Sequence, residues 1–124
     1  MYGKIKQNLT LIKKKYFRMK NYRASFEEID WQQTPGGARF KLCEADGRRA
    51  RLLEFGPDLE HPEWCERGHR GTVLAGELRI EFENGADVIY HPGDLIHIPA
   101  GCADCHRPSA LSETVRVLFW EETA

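Results

Sequence analysis

The sequence predicts an all-β domain, a jelly-roll barrel closed from short antiparallel strands. Three observations carry this expectation. Residues 77–83 alternate strictly, with Leu78, Ile80 and Phe82 on one side and Glu77, Arg79, Glu81 and Glu83 on the other, as a strand with one buried face must. Turn signals recur along the chain at Pro35-Gly36-Gly37, Asp46-Gly47, Gly56-Pro57, Asn84-Gly85, Pro92-Gly93-Asp94 and Pro99-Ala100-Gly101. No helical period appears after residue 30. Many short strands with regular turns imply a sandwich or barrel, and a jelly roll closes such strands around a pocket.

The elements follow in order. Leu9, Leu11, Ile12, Tyr16 and Phe17 suit a short helix or an added strand. Residues 25–31, with Phe26, Ile29 and Trp31, read as an approach segment that packs an aromatic onto the barrel. Residues 38–43 alternate Phe40 and Leu42 with Arg39 and Lys41 and form a strand. Asp46-Gly47 turns the chain into a second strand at 49–55. Asn84-Gly85 suits a type I′ turn, returning the chain antiparallel over 88–91. Residues 95–98 form a short strand, 106–113 a loop, and 114–120 the last strong strand.

At 124 residues the chain has the size of one domain with a real core. No apolar run approaches the ~20 residues of a membrane span, so no membrane role is expected. No secretion signal is visible. Cys43, Cys65, Cys102 and Cys105 are therefore read as reduced thiols, and the location as cytoplasmic. The net charge of −1 is unevenly spread: eight Lys and Arg residues precede the first acidic residue, Glu27. Residues 1–24 are expected to be a basic, irregular or partly helical extension, and 25–124 the barrel. A basic arm can bind nucleic acid or an anionic surface. The simpler reading is a solvated extension, without nucleic acid as a partner. Met19 is an alternative natural start.

Residue types that bind metals gather at both ends of 56–106. His61, Glu63, Cys65 and His69 lie at the front; His97, Cys102, Asp104, Cys105 and His106 lie at the back. Residues 102–106 spell C-x-x-C-H, a haem-attachment pattern, but without an export signal and where the barrel needs a strand. A redox dithiol of Cys102 and Cys105 is disfavoured because a regular strand points them to opposite faces. There is no Gly-rich phosphate loop and no Gly-x-Ser-x-Gly elbow.

From Gly56 to about Pro108 the chain resembles the cupins, small double-stranded β-helix barrels. Their first motif is G-x5-H-x-H-x3–4-E-x6-G; here His69, six residues and Gly76 fit its second half. Their second is G-x5-P-x-G-x2-H-x3-N; Gly93, Pro99 and Gly101 fit without a gap. The ligand positions depart from the pattern. His69 stands at the Glu position, Asp104 at the second-motif His and Pro108 at the Asn. For the two His positions, a gap of four offers Pro62 and Trp64, whereas a gap of three offers Glu63 and Cys65, which can bind metal.

The resemblance implies a divalent metal held by Cys65, His69, Asp104 and His106, with Zn, Fe, Ni or Mn as candidates. Glu63 and His106 are the candidate proton-transfer groups. It implies a pocket for a small polar or anionic molecule and chemistry of the oxygenase, isomerase or lyase type. The alternative is a non-catalytic binding or sensor module with a degenerate metal site. A homodimer is expected, because cupins pair through sheet edges and Phe119-Trp120 offers aromatic surface.

Overall fold

The structure, a computed structural model, describes residues 16–19 and 22–122. The expectations for Leu9, Leu11 and Ile12 lie outside the described residues. The strands are β1 (Tyr16–Arg18), β2 (Gln32–Gln33), β3 (Arg39–Ala45), β4 (Arg48–Phe55), β5 (His69–Ala75), β6 (Leu78–Phe82), β7 (Asp87–Tyr90), β8 (Leu95–Ile98), β9 (His106–Ala110) and β10 (Val115–Glu122). One sheet runs β1-β3-β4-β10-β5-β8, with β2 added to β3; the other runs β7-β6-β9. All pairings are antiparallel except β1 with β3. This is the all-β jelly-roll architecture expected. Among the described residues no helix is long and apolar enough to cross a membrane.

Alternation along each strand sends one set of side chains between the sheets. Leu78 and Ile80 of the smaller sheet meet Val73, Ile96, Ile98, Val115, Val117 and Phe119 of the larger one. Val115 and Val117 are fully buried. The other face of the large sheet carries a second cluster, in which Ile29, Cys43 and Ala50 pack with Met19, Phe26 and Leu118. The approach segment thus anchors through Ile29, which is wholly buried. Trp31 instead lies under the Arg39 guanidinium, 4.0 Å from its ring centroid, with the Lys41 ammonium 4.7 Å away.

Several local expectations change. Asp46 and Gly47 both take positive φ, 53° and 73°, as a type I′ turn requires. Asn84 does not; only Gly85 does, with φ 100°. The Phe82 N–H donates to the Ala86 carbonyl, and the Asn84 side chain accepts from the Ala86 N–H. The loop is therefore one residue longer than the two-residue turn expected.

Residues 106–110, expected as a loop, form β9. Pro108 lacks an N–H and masks the strand signal, but β9 is an edge of its sheet, where proline is tolerated. Residues 69–75, not read as a strand from sequence, form β5. Gly71 interrupts its apolar pattern because β10 passes so close: a Cβ there would stand 2.0 Å from the Leu118 carbonyl oxygen.

Candidate metal centre

The site is built where the two sheets meet at one end of the barrel. Cys65 lies in a loop, yet it forms a reciprocal bridge with His106: its N–H donates to the His106 carbonyl at 2.7 Å, and the His106 N–H returns a bond at 3.0 Å. This pins Cys65 beside the first residue of β9. His69 opens β5 from the other sheet, in register with Ile98 of β8. Sulfur and imidazole nitrogens of Cys65, His69 and His106 thereby converge within 4.8 Å of one another. The His69 ring stacks on Phe119 at 4.7 Å and meets His106 edge-on at 5.2 Å.

Protonation states follow from the surroundings. His106 Nδ1 lies 2.9 Å from the Asp104 carbonyl, which can only accept, so Nδ1 carries the proton. Its Nε2 then offers a lone pair, and this buried atom has no hydrogen-bond partner. His69 Nδ1 is also buried without a partner. Burial lowers the His69 pKa from 6.5 to about 4, assisted by His106, Arg51 and Arg67. His69 is therefore neutral at physiological pH, the form that binds a metal.

Two imidazoles beside a thiol, with orphaned nitrogens, are a donor set suited to a first-row divalent ion. Buried polar atoms normally have partners, and a cation would supply the missing ones. The carbonyl that orients His106 is the kind of supporting contact that metal-bound histidines receive.

The four-residue ligand set expected from sequence is not what converges. Asp104 stands outside the cluster. Residues 102–104 form a 3-10 turn rather than a strand, so Asp104 and His106 do not share a strand face. Asp104 contributes its backbone carbonyl instead. Glu63 is exposed, in a stretch that is not a strand, and its backbone carbonyl meets the His61 ring at 3.0 Å. It is not among the residues that line the cavity. Trp64 lies under the Arg107 guanidinium, 4.1 Å away. His97 is exposed, opposite the buried Ile96 and Ile98.

A cavity of about 320 Å³ lies against the cluster, walled by Leu53, Phe55, Leu78 and Ile80 below the donors. Arg51, Arg67 and His69 line both this cavity and a broader groove outside it. Neither arginine was expected from sequence. Arg51 had a readable signal: it shares the inward parity of Leu53 and Phe55 on β4, where an apolar residue is expected. Arg67 lies in a loop, where no periodicity marks it.

Two facing, mainly antiparallel sheets around a cavity with converging imidazole and thiol side chains define a small single-domain barrel with a candidate metal site. A family model for the cupin domain matches residues 54–121, more than half of the chain, and the chain belongs to the cupins. No curated protein matches.

Solved structures share the fold. The polyketide cyclase RemF from Streptomyces resistomycificus superposes with a TM-score of 0.68 at 20% identity, over 86% of this chain and 80% of that one. An RmlC-like cupin from Shewanella frigidimarina gives 0.65 at 12% identity, over 85% and 93%. KdgF from Halomonas sp. gives 0.61 at 25% identity, over 79% and 91%.

Proposed function

We propose that this cupin holds one divalent metal ion through Cys65, His69 and His106, and that its cavity admits a small anionic molecule. The observation that carries the reading is the pair of buried, unpartnered imidazole nitrogens beside the Cys65 thiol. One thiolate with two imidazoles suits Zn²⁺ best among Zn, Fe, Ni and Mn, and leaves a coordination position for ligand or water. When bound, the ion supplies Lewis acidity toward a ligand oxygen.

The chain's own residues do the rest. Arg67 at the cavity mouth, with Arg51 beside it, whose guanidinium also pairs with Glu121 at 3.0 Å, attracts and orients a carboxylate or similar anion. Phe119 and the apolar walls exclude water behind it. The Asp104 carbonyl holds the His106 tautomer. With Nδ1 held by that carbonyl and Nε2 kept for the metal, His106 is a ligand in this account rather than the proton carrier.

The lyase, isomerase or oxygenase chemistry implied by the family needs a proton-transfer group; Glu63 is exposed outside the cavity, whereas Glu60 and His61 line it. A second reading, binding without turnover, rests on the placement of Glu63 alone. The deciding experiment is a thermal-shift and turnover screen of small carboxylic acids against neutral isosteres, before and after chelation. The proposal expects stabilisation by anions that weakens on chelation and is lost in Arg51→Gln with Arg67→Gln. Equal response to neutral isosteres would contradict it. Metal-dependent consumption of any acid would decide for catalysis over simple binding.

A further inference from the structure

The Cys65–His106 bridge has two sides. Cys65 and His106 contribute to the cluster at the cavity, while their chain neighbours Glu66 and Cys105 belong to another group of donors. Cys102 joins these two, and the ligand atoms of Glu66, Cys102 and Cys105 lie within 4.8 Å of one another. The alternation that directs one pair of side chains to the barrel directs the next pair away from it.

The group is held by backbone rather than by chance proximity. The Gly101 N–H donates to the Glu66 carbonyl at 2.9 Å, and the Glu83 N–H donates to the Cys105 carbonyl at 2.9 Å. The 3-10 turn at Cys102–Asp104 returns Cys105 to the same side as Cys102, which a regular strand would not do. Gly101 starts that turn with φ 122°, in the region that favours glycine. The Cys102 thiol donates to Glu66 Oε2 at 2.9 Å. Cys105 is buried, whereas Cys102 and Glu66 are exposed, so the group is open to solvent on one side.

We propose that Glu66, Cys102 and Cys105 form a second metal site, for a thiophilic divalent cation such as Zn²⁺, back to back with the barrel site. Two thiols and a carboxylate are the donors Zn²⁺ takes. Tetrahedral ligands at roughly 2.3 Å from the ion stand about 3.8 Å apart, inside the span these atoms already occupy. Binding replaces the Cys102 S–H to Glu66 hydrogen bond: both thiols lose their protons to solvent, and two sulfurs and one oxygen coordinate the ion. Water completes the shell on the open side. The inference stands on donors separate from those of the barrel site.

The two sites are nonetheless linked. The same turn carries Asp104, whose carbonyl fixes His106, so an ion clamped on Cys102 and Cys105 stiffens the support of the inner ligand.

Titration of the reduced, metal-free protein with Co²⁺ tests the proposal, because thiolate-to-cobalt absorption reports the number of sulfurs per ion. Cys65→Ser with His69→Ala is expected to retain one tightly bound Co²⁺ with two-thiolate absorption. Cys102→Ser, a change at an exposed position, is expected to halve the thiolate absorption at this site and weaken binding at least tenfold. Glu66→Gln should weaken it while keeping both thiolate bands. The inference is overturned if Cys65→Ser with His69→Ala takes up no Co²⁺ while remaining folded. It is equally overturned if Cys102→Ser leaves stoichiometry, affinity and absorption unchanged. A Cys102–Cys105 disulfide in protein purified without reductant, with no Co²⁺ uptake once reduced, would replace it by a redox role.

Discussion

Replacing His69 by leucine should remove an acid-sensitive component of stability from the metal-free protein. The side chain is partly buried, between Phe119 and His106, and burial holds its pKa at about 4 against 6.5 in the unfolded chain. The folded state therefore resists protonation while the unfolded state accepts it. Stability is complete above pH 6.5 and falls as pH drops toward 4, because the unfolded chain binds the proton first. A separation of about 2.5 pKa units at 1.36 kcal/mol each gives a loss of about 3 kcal/mol by pH 4. Leucine cannot titrate and keeps an apolar group against Phe119. Urea unfolding of chelator-treated wild type and His69→Leu at intervals from pH 7.5 to 4 measures the difference. Wild type should lose about 3 kcal/mol more than the variant across that window. Parallel pH curves would refute the buried, neutral imidazole on which the metal site depends.

Other outcomes follow from the frame around the site. Glu54 lies directly across from Arg39 on one side and Arg116 on the other, and accepts from their Nε atoms at 2.9 and 3.0 Å, joining β3, β4 and β10. Burial alone would raise its pKa, but the Arg116 and Arg39 guanidiniums outweigh it and hold the carboxyl below its usual 4.5. Glu54→Gln should cost about 1–2 kcal/mol at pH 7 by chemical denaturation, less than a fully buried pair because both arginines are partly exposed. The deficit should shrink as pH falls through the depressed pKa, where wild type is protonated too; a pH-independent deficit would contradict the ion-pair account. Gly71→Ala drives a methyl into the Leu118 carbonyl across β5 and β10. It should cost at least about 2 kcal/mol, and a melting temperature within a degree of wild type would contradict that close approach.

The barrel was legible in the sequence because strands with one wet face repeat every second residue, as residues 78–82 show, and glycines with positive φ mark the turns. β5 and β9 were not, because Gly71 and Pro108 break the apolar pattern for reasons that reside in a neighbouring strand and a sheet edge. Cys65, His69 and His106 could be singled out because metal-binding residue types gather at both ends of 56–106 and the resemblance to the cupin motifs brings those ends together. Asp104 was misjudged because spacing cannot distinguish a strand from a 3-10 turn, and the turn exchanges a side-chain contribution for a carbonyl. The relation of Cys102 to Cys105 depended on the same turn. Arg51 was visible in principle, as a charge in the apolar phase of β4; Arg67 acquires its meaning only from the fold.

The most direct test of the account is metal content by elemental analysis after Zn²⁺ loading and desalting. It should compare Cys102→Ser, in which the outer site is weakened, with Cys102→Ser carrying His69→Ala. Close to one ion per chain is expected in the first and a loss of most of it in the second, with both proteins folded. Equal zinc in the two would show that Cys65, His69 and His106 do not hold the metal, and would contradict the central claim.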